Sequence, residues 1–114
     1  MKGDHIGEFE ELVLLAVQAL AARPDGAYGV PILLLIQRET ARAVSIGAVY
    51  AALDRLEAKM LVRSAMTQGA PVRGGRSRRT FDVTADGTRS LKEMRRVRDR
   101  LWHAAPMRPA RGRS

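Results

Sequence analysis

Apolar residues recur along this chain at helical spacing in four stretches, with one alternating stretch before the last. Phe9, Leu12, Val13, Ala16, Val17 and Leu20 sit three and four apart and predict a first helix over residues 8–22. Glu8, Glu10 and Glu11 near its start suit the positive end of the helix dipole. Arg23-Pro24-Asp25-Gly26 is turn chemistry that ends it. A second helix is predicted from about Gly29, with Pro31 in its first turn, where a missing N–H costs nothing. Ile32 and Ile36 would face the core. Leu33, Leu34 and Leu35 make the run apolar on every side, so Leu34 is expected to stay exposed or to meet something beyond the local core. Residues 38–44 close this helix.

The third stretch, residues 45–59, organises the rest. Ser45 is a good N-cap, since its hydroxyl can accept from free N–H groups of the first turn. Val49, Leu53 and Leu56 form one apolar stripe, with Ile46 and Ala52 flanking it. The opposite face carries Gly47, Ala48, Tyr50, Ala51, Asp54, Arg55 and Ala58. A solvated helix face would be dense in Glu and Lys. Small side chains let a backbone approach another surface, and a Ser-capped helix start favours phosphate. Periodicity alone equally allows an amphipathic helix with an Ala-rich outer face.

The pattern then changes. Residues 61–66 predict a short strand, and residues 80–83 alternate, with Phe81 and Val83 inward. The loop 68–79 between them holds Gly74-Gly75 and Arg73, Arg76, Arg78 and Arg79, with no acid among the four arginines. Such a basic wing can lie in the minor groove or along phosphates. The alternative is a solvated hairpin loop. Thr84 caps a last helix with Asp86 in its first turn. Leu91, Met94, Val97, Leu101 and Trp102 mark a narrow apolar stripe, beside Arg95, Arg96, Arg98, Arg100 and Asp99. One trailing helix cannot bury that stripe alone, so pairing with the first helix and a second subunit is expected. The expected organisation is a mainly α fold with a small β-hairpin, a winged helix-turn-helix. Residues 1–84 would be the DNA-binding domain, 85–104 a dimerisation helix and 105–114 a disordered basic tail.

Composition narrows the function. The chain has 114 residues, enough for one domain, with 46% hydrophobic and 28% charged residues, typical of a soluble globular protein. There is no cysteine, and only His5 and His103, so neither a disulfide framework nor a metal site is expected. The longest apolar run, residues 30–36, is too short to span a bilayer. The acidic start does not resemble a signal peptide, so a cytoplasmic protein with no membrane partner is expected. The net charge of +8 is unevenly spread. Residues 1–62 carry six Lys or Arg against eight acids, and residues 63–114 carry fourteen against four. A basic excess confined to one half points to a polyanion. No phosphate loop, H-E-x-x-H or G-x-S-x-G motif is present, so no catalytic residue and no cofactor is assigned.

In this order and spacing, several short stretches resemble the PadR-like transcriptional regulators. They are Gly7-Glu8-Phe9-Glu10 with residues 12–17, Tyr28-Gly29-Val30, residues 45–57, and Gly74-Gly75-Arg76 with residues 81–87. The resemblance covers residues 7–91. It implies a homodimeric DNA-binding regulator, most often a repressor, whose third helix reads the major groove and whose wing touches the minor groove or backbone. By position, Ser45, Tyr50 and Arg55 would take the helix roles, and Arg73, Arg76, Arg78 and Arg79 the wing roles. Leu91, Met94, Val97, Leu101 and Trp102 would serve dimerisation. Tyr50 could instead be a half-buried flank aromatic. Asp54 is assigned no contact, being unfavourable near phosphate unless an arginine pairs with it. The chain departs from the family at Met60, where glycine usually closes the recognition helix, so a remodelled helix end is expected. Leu33, Leu34 and Leu35 replace positions that are usually charged, suggesting an extra contact surface. Longer members have a larger C-terminal domain, so an effector pocket built there would be missing or reduced. The expected partners are double-stranded DNA, a second copy of the chain and, left open, a small-molecule effector. The alternative function is a winged-helix module for protein contacts or non-specific nucleic-acid binding.

Overall fold

The four predicted apolar stripes fold onto one another as α1 (Glu8–Leu20), α2 (Gly29–Thr40), α3 (Ile46–Ala58) and α4 (Ala85–Ala104), with β1 (Val62–Thr67) and β2 (Arg78–Val83) inserted before α4. The structure is a computed structural model that describes residues 6–67 and 77–105. Val13, Leu14, Val17 and Leu20 of α1 meet Ile32 and Ile36 of α2 and Val49, Leu53 and Leu56 of α3. Phe81 and Val62 from the strands close the core. Leu34 is exposed, whereas Leu33 and Leu35 pack partly against the core.

The helix ends are set by local chemistry. α1 stops at Leu20, two residues short of the expectation, and Gly26 takes φ 75 in the turn that follows. α2 stops at Thr40 rather than running on to residue 44. Ala41 adopts a left-handed φ of 56 and donates its N–H to Gln37 O at 2.9 Å. Residues 41–45 are therefore the turn of the helix-turn-helix.

The strands pair antiparallel from Val62↔Val83 to Thr67↔Arg78. Both extend further toward the hairpin loop than the alternation suggested. Phe81 also donates its N–H to Ala27 O at 2.8 Å, so the α1–α2 connection adds an isolated bridge beside β2. The expected loop residues Arg73, Gly74, Gly75 and Arg76 lie outside the described residues.

Met60 stands where a glycine was expected, and it holds the glycine conformation at φ 61. Its N–H donates to Glu57 O at 2.9 Å, and the Leu61 N–H reaches back to Leu56 O at 2.9 Å. That is the helix-closing pair of a Schellman motif. The helix end is thus not remodelled, contrary to expectation. The Thr84 hydroxyl donates to Met60 O at 2.8 Å and accepts from the Gly87 N–H at 3.0 Å. A Cβ on Gly87 would collide with the Leu61 carbonyl oxygen and come within 2.6 Å of Val83 Cγ1. The start of α4 is in this way tied to the end of α3. Leu91 and Met94 pack against the domain's own core, so two of the five stripe residues are already partly used within the chain. Val97, Leu101 and Trp102 are exposed.

Met60 is 70% exposed, so its side chain contributes little packing. Met60→Gly should therefore relieve the left-handed strain and raise stability by about 0.5–1 kcal/mol. Urea unfolding checks this: the midpoint should rise with the slope unchanged, and an unchanged midpoint would contradict it.

Candidate nucleic-acid interface

α3 buries Val49, Ala52, Leu53 and Leu56 and turns the rest outward. Ser45 caps it, accepting from the Ala48 N–H at 3.0 Å. Gly47, Ala48, Tyr50, Ala51, Asp54, Arg55 and Ala58 are exposed, as the periodicity predicted. Ile46 was placed beside the core stripe, but it is 39% exposed, because the first turn of α3 lies past the edge of the core.

Tyr50 is held from the side. A Cβ on Gly29 would come within 2.6 Å of Tyr50 Cζ and run into its hydroxyl. The missing side chain at the start of α2 is the space in which the tyrosine ring lies. Tyr50 thus packs along one edge and stays exposed along the other. The sequence placed Gly29 only as a helix start and carried no signal of this contact.

Arg55 turns back toward α1. Its Nε donates to Glu10 at 2.6 Å, and Lys59 Nζ donates to the other carboxylate oxygen at 2.7 Å. Glu10 is 7% exposed. Burial alone would raise its pKa; the hydrogen bonds and charges of Lys59 and Arg55 outweigh that and hold the carboxyl below its ordinary range. The half-exposed Arg55 therefore serves as an interhelical tie, because a carboxylate taken out of water needs cations beside it.

On the other flank, Arg79 of β2 reaches α3. Its Nη1 donates to Asp54 at 3.3 Å and its Nη2 to Glu57 at 2.5 Å, with the guanidinium 4.9 Å from the Phe81 ring centre. Glu57 also accepts from the Ser64 hydroxyl at 2.8 Å. The Ser64 bond is the largest influence on Glu57 and lowers its pKa; burial opposes it, and the hydrogen bond and charge of Arg79 add to the lowering. Arg78 stacks 4.3 Å over Tyr28. Of the four wing arginines, Arg79 is thus ion-paired to α3, Arg78 lies over Tyr28 but stays exposed, and Arg73 and Arg76 lie outside the described residues.

Arg42 was not singled out from the sequence. It lies in the turn before Ser45, pairs with Glu8 at 3.0 Å and sits 5.9 Å over Phe9. Together with Val44, Ser45 and Ala48 it lines a shallow concavity at the mouth of α3. A second groove runs between α1 and α4, floored by Leu15, Leu91 and Trp102, where Arg98 pairs with Glu11. Among the described residues no cluster of His, Asp or Glu could hold a metal, and no helix is long and apolar enough to cross a membrane.

The sequence model of the transcriptional regulator PadR-like family matches residues 18–93. The chain belongs to the PadR-like family. It is a transcription regulator and not an enzyme. Solved structures agree in fold. A PadR family transcription regulator from hypervirulent Clostridium difficile is 24% identical, with a TM-score of 0.61 over 86% of this chain and 97% of that one. A PadR-like transcriptional regulator from Bacillus cereus is 18% identical, with a TM-score of 0.67 over 84% and 85%. One from Eggerthella lenta is 22% identical, with a TM-score of 0.63 over 85% and 81%. None of the curated proteins matches this PadR-like chain. The helix-turn-helix and wing described above are therefore those of a winged-helix regulator.

Glu10 generates a pH-dependent prediction. Its pKa is lowered on folding, so its contribution is present above the unfolded carboxylate value and lost as pH falls through the folded one. Glu10→Gln should cost about 2 kcal/mol at pH 7. Urea unfolding should show the gap from the parent narrowing below about pH 4.3. A cost that stays constant with pH would mean the carboxylate charge does not matter.

Proposed function

We propose that this PadR-like regulator is a dimeric, sequence-specific DNA-binding repressor of the cytoplasm, with residues 45–59 in the major groove and the basic wing 68–79 on the minor groove or backbone. The observation that carries this is the exposed face of α3. Gly47, Ala48 and Ala51 keep it flat, with Ser45 and Tyr50 beside them, while Arg55 and Lys59 are turned inward onto Glu10. Such a face suits close backbone approach to a groove. Few bidentate base contacts are available to it, so specificity draws on DNA shape and deformability as well as on Tyr50 and methyl contacts. Arg73, Arg76 and Arg78 supply contacts that fix register without reading bases. Val97, Leu101 and Trp102 offer a second copy an apolar strip on α4, and Trp102 is 62% exposed. Two copies would present two recognition helices to a palindromic site. Occupancy of an operator by such a dimer represses without further chemistry.

Ala51→Glu tests the reading helix. Ala51 is off the core, so the variant should fold and sediment as the parent does, as a dimer. The new carboxylate would face the groove, and binding to a site selected from random duplexes should fall at least about 100-fold, or some 3 kcal/mol. Fluorescence anisotropy on selected and random duplexes measures this, with circular dichroism as the control for folding. A folded variant that binds like the parent would shift the case to a protein-interaction module, for which Val30 and Leu34 of α2 are the exposed apolar candidates.

A further inference from the structure

Asp54 sits four residues after Tyr50, three after Ala51 and seven after Gly47, so it shares their face of α3. Its side chain is 63% exposed. A carboxylate there opposes phosphate, and nothing else on that half of the face is acidic. The group that answers it comes from the wing. Arg79 directs Nη1 at Asp54 and Nη2 at Glu57, while the fully buried Phe81 supports the plane of its guanidinium. Glu57 has a second partner in Ser64, so the arginine bridges an anchored acid and an exposed one. Both terminal nitrogens are engaged by carboxylates of the recognition helix.

We propose that Arg79 is a positioning residue, a charge shield that neutralises Asp54 so that the α3 face can approach phosphates, and that it does not itself contact DNA. This rests on the DNA-binding reading above. The wing arginines then have separate roles. Arg73, Arg76 and Arg78 meet the nucleic acid, and Arg79 makes the helix face acceptable to it. The same bridge links the base of the wing to α3, so the two parts approach DNA as one piece.

A charge-balanced pair of variants tests this. Arg79→Met keeps an apolar stem over Phe81 but uncovers Asp54. Arg79→Met with Asp54→Asn removes one charge of each sign, leaving the net charge of the cluster unchanged. The probe is a fluorescein-labelled random duplex of about 20 base pairs, titrated over a series of salt concentrations. Arg79→Met should weaken binding about 10-fold at low salt through the exposed like charge. The double variant should return to within about twofold of the parent, with the parent's slope of log K against log salt. A double variant that stays weak, with a slope smaller by about one per subunit, would mean that Arg79 holds a phosphate and would overturn the proposal. If circular dichroism shows Arg79→Met to be unfolded, Arg79→Gln with and without Asp54→Asn makes the same comparison. A parent that binds no duplex overturns the DNA-binding reading, and the shield with it.

Discussion

The structure depends on one carboxylate. Glu10 lies nearly out of water between α1 and α3, with Arg55 on one oxygen and Lys59 on the other. Burying an unpaired carboxylate costs several kcal/mol, so α3 can sit only where both cations reach it. The apolar stripe of Val49, Leu53 and Leu56 sets the depth of α3, and the Glu10 pair fixes its rotation and axial position. On the opposite flank, Arg79 ties Asp54 and Glu57 to β2. The proposed reading helix is clamped from α1 and from the wing, and its outer face is left to small residues.

That arrangement explains why so few long polar side chains stand on the outer face. Arg55 of α3 and Lys59 at its C-cap hold the helix rather than extend from it. A rigid helix with a flat face suits recognition by fit, in which the backbone comes close and groove geometry discriminates. The connection beyond α3 is equally constrained. Met60 in a left-handed turn, the Thr84 hydroxyl and the bare Gly87 bring β1, β2 and α4 to the end of α3. A shift of α3 would therefore be felt at both the wing and α4.

Much of this was readable in the chain itself. The four stripes and the caps at Ser45 and Thr84 are local features, and local chemistry determines them. The left-handed turn at Met60 was not readable, since a methionine there argues against the conformation it holds. What was not readable was the direction of long side chains. Periodicity puts Arg55 on the outer face, yet its reach lets the guanidinium fold back to Glu10. Glu10 itself was hidden between Glu8 and Glu11, because the helix dipole accounts for all three alike and only the tertiary fold shows which one is buried. Arg79 reads as one of four wing arginines until the hairpin register places it beside α3. The Tyr50–Gly29 contact joins residues from two helices and leaves no trace in either pattern.

The central claim is that the outer face of α3 enters a DNA groove once per subunit. The chain has no cysteine, so a single one can carry a probe without competition. Ala58→Cys, at the exposed C-terminal edge of that face, can be joined to an iron–EDTA group and the protein bound to a duplex it selects. DNA cleavage should fall in two discrete clusters centred about one helical turn, or a whole number of turns, apart, one for each recognition helix of the dimer. Uniform cleavage, or no cleavage while the protein remains bound, would contradict the account.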